Sequence, residues 1–446
     1  MLKLPTYLRV FKKQTVSLLI VLIVISEILY LSLYLNLSQP IIVYTSVAVL
    51  NSLIFIVICF VLLKNESSTR LAYTLIAVGI LFRLTALFYP PTASDDINRY
   101  IWDGKVQANG INPYRYAPAD SSLNFLHSEN LPSKVNFPRM KSIYPPVAQV
   151  IFFASYKLFG ESYLGYKLFL FIFEILSIIL VLVLLRQLRR PESFVGLYAL
   201  CPLPVMQFMI DGHVDALGIP FLILSIILFF RRKKFWFFLV LGLSISTKLI
   251  AGMILPYTAY ELERKWIKKL LACIIVLLFF ALTYVPYLTG GVFPFEALMT
   301  FSTNWTFNGS AFSVFFDILG DNQKARLVSA ALFIVAGVYI FFRHEGVMEK
   351  MYMIFFAFFL LSPTVHPWYL TWLAVLLPLS FRWSGVLFVA LVSLANYVVS
   401  GYILKGVWQM PVFILLAEYM PVYIMLVWEF LRGRRFTSKW HFHQTH

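Results

Sequence analysis

Residues Pro90 to Pro118 read PPTASDDINRYIWDGKVQANGINPYRYAP. This is the first long polar break in a chain that is otherwise almost wholly apolar. It opens on two adjacent carboxylates, Asp95 and Asp96. From there Asp95, Arg99, Trp102, Asp103 and Val106 follow the spacing of a short amphipathic helix, which Gly110 ends. Asn112-Pro113 then makes a turn. A segment this polar, directly after a hydrophobic run, belongs where a membrane meets water.

The composition around it says the same. Of 446 residues, 60% are hydrophobic and only 13% are charged, where a soluble chain carries about 25% charged residues. The excess lies in runs of roughly 20 residues, the length that crosses ~30 Å of hydrocarbon. The expected fold class is therefore an all-α polytopic membrane protein. The net charge of +16 does not call for nucleic acid, because Lys and Arg retained in cytoplasmic loops orient the spans. Cys59, Cys201 and Cys273 each sit in an apolar run and make neither a disulfide framework nor a metal site. The basic start (Lys3, Arg9, Lys12, Lys13) leads into an apolar stretch, 16–36, too long for a signal-peptide core.

Placing that start in the cytoplasm predicts one integral-membrane domain over 1–446. Spans at 16–36, 41–63 and 71–89 come first, then an outer loop with interfacial helices at 90–164. The remaining spans fill 165–431, and a basic cytoplasmic tail covers 432–446. Residues 147–159 are too short to cross comfortably and should lie against the outer side. Segment 235–259 has basic clusters at both ends, so it is expected to enter and return as a re-entrant helix pair with Lys248 near the bend. The total is about twelve spans plus that pair.

Most polar residues here have an ordinary structural reading. Ser94 caps the loop helix, the two aspartates favour its positive end, and Arg99 pairs with one of them. His213 and Asp215 form an outer-turn pair, and His366 caps a span before Pro367. Arg83 snorkels to the interface or bonds to Asp95 and Asp96. Trp305, Phe307, Trp368 and Tyr369 belong to the aromatic belt. Position favours a second reading for the aspartates. They follow a span by a few residues, where an ionised acid can take a proton from a hydroxyl while a lipid-borne reactant stays embedded. Lys248, an ionisable group at membrane depth, is a functional candidate by the same cost argument.

Asp95-Asp96, then Arg99-Tyr100-x-Trp102-Asp103-Gly104, then Gly110-x-Asn112-Pro113-Tyr114, resembles the first outer loop of GT-C glycosyltransferases. The likeness is strongest to the bacterial polyprenol-phosphate-mannose-dependent mannosyltransferases, family 87. It continues in Tyr144-Pro145-Pro146, Gly212-His213-Val214-Asp215, Thr247-Lys248, Trp305-x-Phe307-Asn308 and His366-Pro367-Trp368-Tyr369. Two spans before the first-loop span, rather than one, depart from the GT-C pattern and leave the role of residues 1–65 open.

The resemblance implies a GT-C-like bundle and inverting sugar transfer, most simply of mannose, from a polyprenyl phosphate carrier. The acceptor would be a glycan, glycolipid or protein hydroxyl at the outer face of the inner membrane. It implies Asp95 as the base and Asp96 as an orienting group, or as the holder of a divalent cation in members that use one. Arg99, Lys248, His366 and His213 are candidates for the leaving phosphate. Asp215, Trp305, Asn308 and Tyr369 are further candidates around the donor sugar. The competing class is a transporter or flippase of lipid-linked sugars, with broken helices and mid-membrane charges. The same fold with another sugar donor also stays open.

Overall fold

The computed structural model describes residues 6–35, 38–65, 67–343 and 345–432, with side chains from residue 15 onward. Lys3 and the tail beyond Arg432 lie outside the described residues. In chain order the helices are α1 (Thr6–Ser32), α2 (Pro40–Lys64), α3 (Thr69–Leu87), α4 (Asp96–Ala108), α5 (Pro146–Phe159) and α6 (Tyr163–Gln187). They continue with α7 (Glu192–Ala199), α8 (Pro202–Ile210), α9 (Asp215–Phe230), α10 (Lys234–Ile245), α11 (Leu249–Leu262) and α12 (Trp266–Tyr287). After these come α13 (Glu296–Asn304), α14 (Ser310–Leu319), α15 (Asn322–Phe342), α16 (Val347–Leu361) and α17 (Thr371–Ala374). The last two are α18 (Trp383–Lys405) and α19 (Val412–Leu431). Two isolated bridges, from Phe307 and Asn308 to Thr364, are the only β-type pairing among the described residues.

Among the described residues eight helices are long and apolar enough to cross a bilayer. A ninth is added if α7 and α8, bent by 42° across Cys201, count as one broken span. This is fewer than the expected twelve, and the shortfall has a geometric cause. Helix α9 has 16 residues and α16 has 15; at 1.5 Å per residue these cover about 24 Å, short of the ~30 Å core. Within the stretch expected to hold the remaining spans, residues 367–374 form only short turns, Pro367–Leu370 and Thr371–Ala374. The break expected near Lys248 is present: α10 ends at Ile245, Lys248 is extended (φ −153°, ψ 123°), and a tighter 3₁₀ turn begins at Leu249.

Local sequence sets the ends of these elements. Ser68 and Ser162 cap α3 and α6 by accepting from the amides of Leu71 (3.1 Å) and Gly165 (3.0 Å). Pro146 opens α5, where its missing N–H costs nothing. Helices α4 and α5 pack closely because residue 104 is glycine: a Cβ there would collide with the Phe152 carbonyl oxygen.

Charge is buried where the helices meet. Arg83 of α3 donates to Glu174 of α6 at 2.9 and 3.0 Å and to the carbonyls of Gly79 and Ala199, with both side chains fully buried. It neither snorkels nor reaches Asp95 and Asp96, because Glu174 and the Ala199 carbonyl satisfy it inside the bundle.

The two ends of the bundle differ. At one end short basic loops are tied by Arg186–Glu192 (2.9 Å), Lys234–Glu263 (2.7 Å) and Arg190–Glu349 (3.6 Å). The long polar loop after α3 occupies the other end.

Candidate functional site

Asp95 and Asp96 lie at the start of α4, where Ser94 Oγ accepts from the Asp96 amide at 3.3 Å. Their carboxylates are linked by a residue outside any motif. Asn136 donates from Nδ2 to Asp95 Oδ1 (2.8 Å) and to Asp96 Oδ1 (2.7 Å). Asp95 keeps an exposed edge; Asp96 faces inward, with Tyr100 Oη at 3.5 Å and His213 Nδ1 at 3.7 Å from its Oδ2. Burial, then the neighbouring Asp95 charge, pushes the Asp96 carboxyl up to about 6 against the pull of Asn136, Lys248 and Arg99. Burial also raises Asp95, and the Asn136 bond opposes it.

Arg99 departs from its expected pairing. Instead of meeting Asp95 or Asp96, its Nη2 donates to the carbonyls of Asn136 (3.4 Å), Phe137 (3.1 Å) and Met140 (2.8 Å). The 136–140 turn offers three acceptors in one direction, which suits a guanidinium fork better than an aspartate on its own helix. The chain bends sharply there, with Phe137 at φ +46°. Arg99 therefore holds the turn that presents Asn136.

The floor comes from segments distant in sequence. Lys248, freed by the break between α10 and α11, places Nζ 3.1 Å from Asp215 Oδ2 and 4.7 Å from the centre of the Tyr369 ring. Trp372 donates to the other oxygen, Asp215 Oδ1, at 2.8 Å. Asp215 thus pairs with Lys248 and Trp372 rather than with His213. The His213 ring stacks on Trp368 (3.7 Å), which stacks on His366 (4.2 Å), which stacks on Phe307 (4.6 Å). His213 is fully buried, with no hydrogen-bond partner on either ring nitrogen. Burial and the Lys248 charge hold it well below the usual histidine range, and bring His366 to about 3.

Two expected residues sit further out. Trp305 packs edge-on against Phe137 (4.4 Å), beside Asn136, and closes the second outer loop over the first. Lys141 pairs with Glu296 at 2.7 Å across the same seam, which bounds a cavity of about 520 Å³. Asn308 donates to both Glu418 oxygens (3.0 and 3.1 Å) and to the Val365 carbonyl, so it joins the outer loop to α19. The structure thus brings Asp95, Asp96, His213, Asp215, Lys248, His366 and Tyr369 into one network, with Arg99, Trp305 and Asn308 in its walls. Asn136 and Trp372 escaped the sequence reading, and Tyr100 entered it only as part of the first-loop motif, with no role given. Neither Asn136 nor Trp372 belongs to a recognisable spacing. No cluster of three or more His, Cys, Asp or Glu side chains suited to a metal ion occurs among the described residues.

Residues 22–264, more than half of the chain, match the model of the MptA_B family, described as alpha-(1->6)-mannopyranosyltransferase, N-terminal domain. The chain belongs to this family. It is a multi-pass membrane glycosyltransferase, as the first-loop motif led us to expect. The match begins inside α1, so α2 and α3 both fall within the matched region of this mannopyranosyltransferase family. Among solved structures, the chain is similar to ArnT from Cupriavidus metallidurans, crystallised bound to undecaprenyl phosphate. The identity is 15%, over 82% of this chain and 73% of that one, with a TM-score of 0.46. No curated protein matches the chain.

Proposed function

We propose that this protein transfers mannose, with inversion, from a polyprenyl phosphate carrier to an acceptor hydroxyl. The outer face of the bacterial inner membrane is the proposed location. The observation that carries the reading is the pairing, in one site, of an aqueous carboxylate with an ammonium set deep between broken helices. Asp95 is exposed beside its half-buried neighbour, while Lys248 stands at the break between α10 and α11. A reaction between a water-borne hydroxyl and a lipid phosphate needs those two groups at those two levels.

The acceptor oxygen forms a bond to the anomeric carbon as the carbon–oxygen bond to the carrier phosphate breaks. The hydroxyl proton passes to Asp95, and the bonding pair leaves with the phosphate. Asp96, held by Asn136 and within the field of Lys248, orients the reacting groups. Lys248 meets the charge that develops on the leaving phosphate. Its ammonium is aimed by the ion pair with Asp215 and by the face of the Tyr369 ring. Tyr369, half-buried beside Lys248, offers an aromatic surface to the sugar. The basic loops tied together at the opposite end of the bundle support an outward-facing site, since such loops stay in the cytoplasm.

The test is to incubate purified protein with radiolabelled polyprenyl phosphate sugars and candidate acceptors. Label should move from the mannosyl carrier into product with the opposite anomeric configuration. Movement of the intact labelled lipid across vesicles without transfer would overturn the reading in favour of a flippase.

A further inference from the structure

Asp211 ends the wide π-helical turn Val205–Ile210, and its side chain is fully buried. It touches none of the groups proposed to react. Its Oδ1 accepts from two consecutive backbone amides, Thr92 (3.0 Å) and Ala93 (2.9 Å). Its Oδ2 accepts from Tyr44 Oη on α2 at 2.6 Å, and Gln207 Nε2 donates to that same phenol oxygen at 3.0 Å. Only Ser94 separates these gripped amides from Asp95. The next residue, Gly212, sits at φ +75°, and a Cβ there would meet the Ile97 side chain at 2.7 Å. His213, one further on, stands behind Asp96. One three-residue segment therefore holds the aspartate pair from both sides.

We propose that Asp211 is a positioning residue for sugar transfer, with Tyr44 as its support, so that α2 sets the aim of Asp95 and Asp96. The inference rests on the transferase reading above. Two successive N–H groups converging on one oxygen form a nest that a carboxylate fills better than any neutral side chain. Without that acceptor the amides are left unsatisfied at the protein interior, and the loop must turn to find water. The reacting carboxylates then keep their chemistry but lose their registration.

The experiment uses the full chain in lipid nanodiscs and compares Asp211→Ala, Asp211→Asn and Tyr44→Phe. Asp211→Ala should lower kcat by roughly 100-fold, the cost of about an ångström of misplacement, with donor KM within about threefold of wild type. Asp211→Asn keeps a carbonyl oxygen for the amides and should recover most of the loss. Tyr44→Phe should fall between Asp211→Asn and wild type. Hydrogen exchange should quicken at Thr92 and Ala93 in Asp211→Ala while α19 keeps its protection. Wild-type kcat in Asp211→Ala, or exchange that quickens equally throughout the bundle, overturns the proposal. Should the wild type transfer no sugar, the transferase reading fails by itself, and local exchange at 92–93 still decides whether Asp211 holds the loop.

Discussion

Asn136 Nδ2 stands 2.7 Å from Asp96 Oδ1 and shares itself with Asp95 at 2.8 Å. One amide group thereby holds two like charges side by side. The bond stabilises the ionised form of both acids. Removing it with Asn136→Ala should raise both carboxyls, so the acid limb of the kcat–pH profile moves to higher pH. At neutral pH transfer should slow by at least roughly tenfold, as two hydrogen bonds to charged groups are lost. An unmoved acid limb would show that the amide has no part in setting the pair.

Asp95→Asn should reduce transfer by about 10²- to 10⁴-fold, the range of a missing general base. The protein should still fold and bind the carrier lipid. The substitution also removes the charge that raises Asp96, so the remaining carboxyl should titrate below about 6. Carboxyl titration of the variant by infrared difference spectroscopy reads that shift. Near wild-type turnover would remove Asp95 as the base.

Lys248→Met should harm donor use more than acceptor use. Loss of a group aimed at developing charge costs about 10²- to 10³-fold in kcat. Because Asp215 loses its cation as well, Lys248→Arg serves as the control that keeps the ion pair. Unchanged kcat and donor KM in the Met variant would dismiss a phosphate role.

Arg83→Met strands the fully buried Glu174 and should cost about 3–5 kcal/mol. A lowered Tm in detergent would report this loss. The double variant Arg83→Met with Glu174→Gln should regain much of the stability, since neither partner is left charged and alone. Rates per folded molecule should hardly change in either.

Much of this arrangement was legible in the chain itself. The apolar runs, the polar loop after α3 and the break at Lys248 each announce themselves by composition or by charge at their ends. The partners of Arg99, Asp215 and Arg83 did not. Each lies beside a plausible neighbour in sequence, yet bonds to a group 30 or more positions away, because helix packing rather than local spacing decides what a long side chain meets. Asn136 and Asp211 were hidden for a related reason: an amide in a turn and an acid before a glycine look ordinary until the loop folds onto them. The span count failed where helices were short, since periodicity reports that a segment is apolar, not that it reaches the far side.

That shortness has a further meaning. Helix α10 has 12 residues and so rises about 18 Å from the basic surface before the chain turns at Lys248. With the orientation proposed above and α10 upright in an oily layer ~30 Å deep, the ammonium would lie roughly a dozen ångströms below the opposite headgroups. A carrier lipid anchored in that opposite leaflet has only to dip its phosphate that far, with its tail still among its neighbours, for charge to meet charge. On that proposal the fold brings the wet side of the membrane down to its guest, instead of asking the guest to climb out.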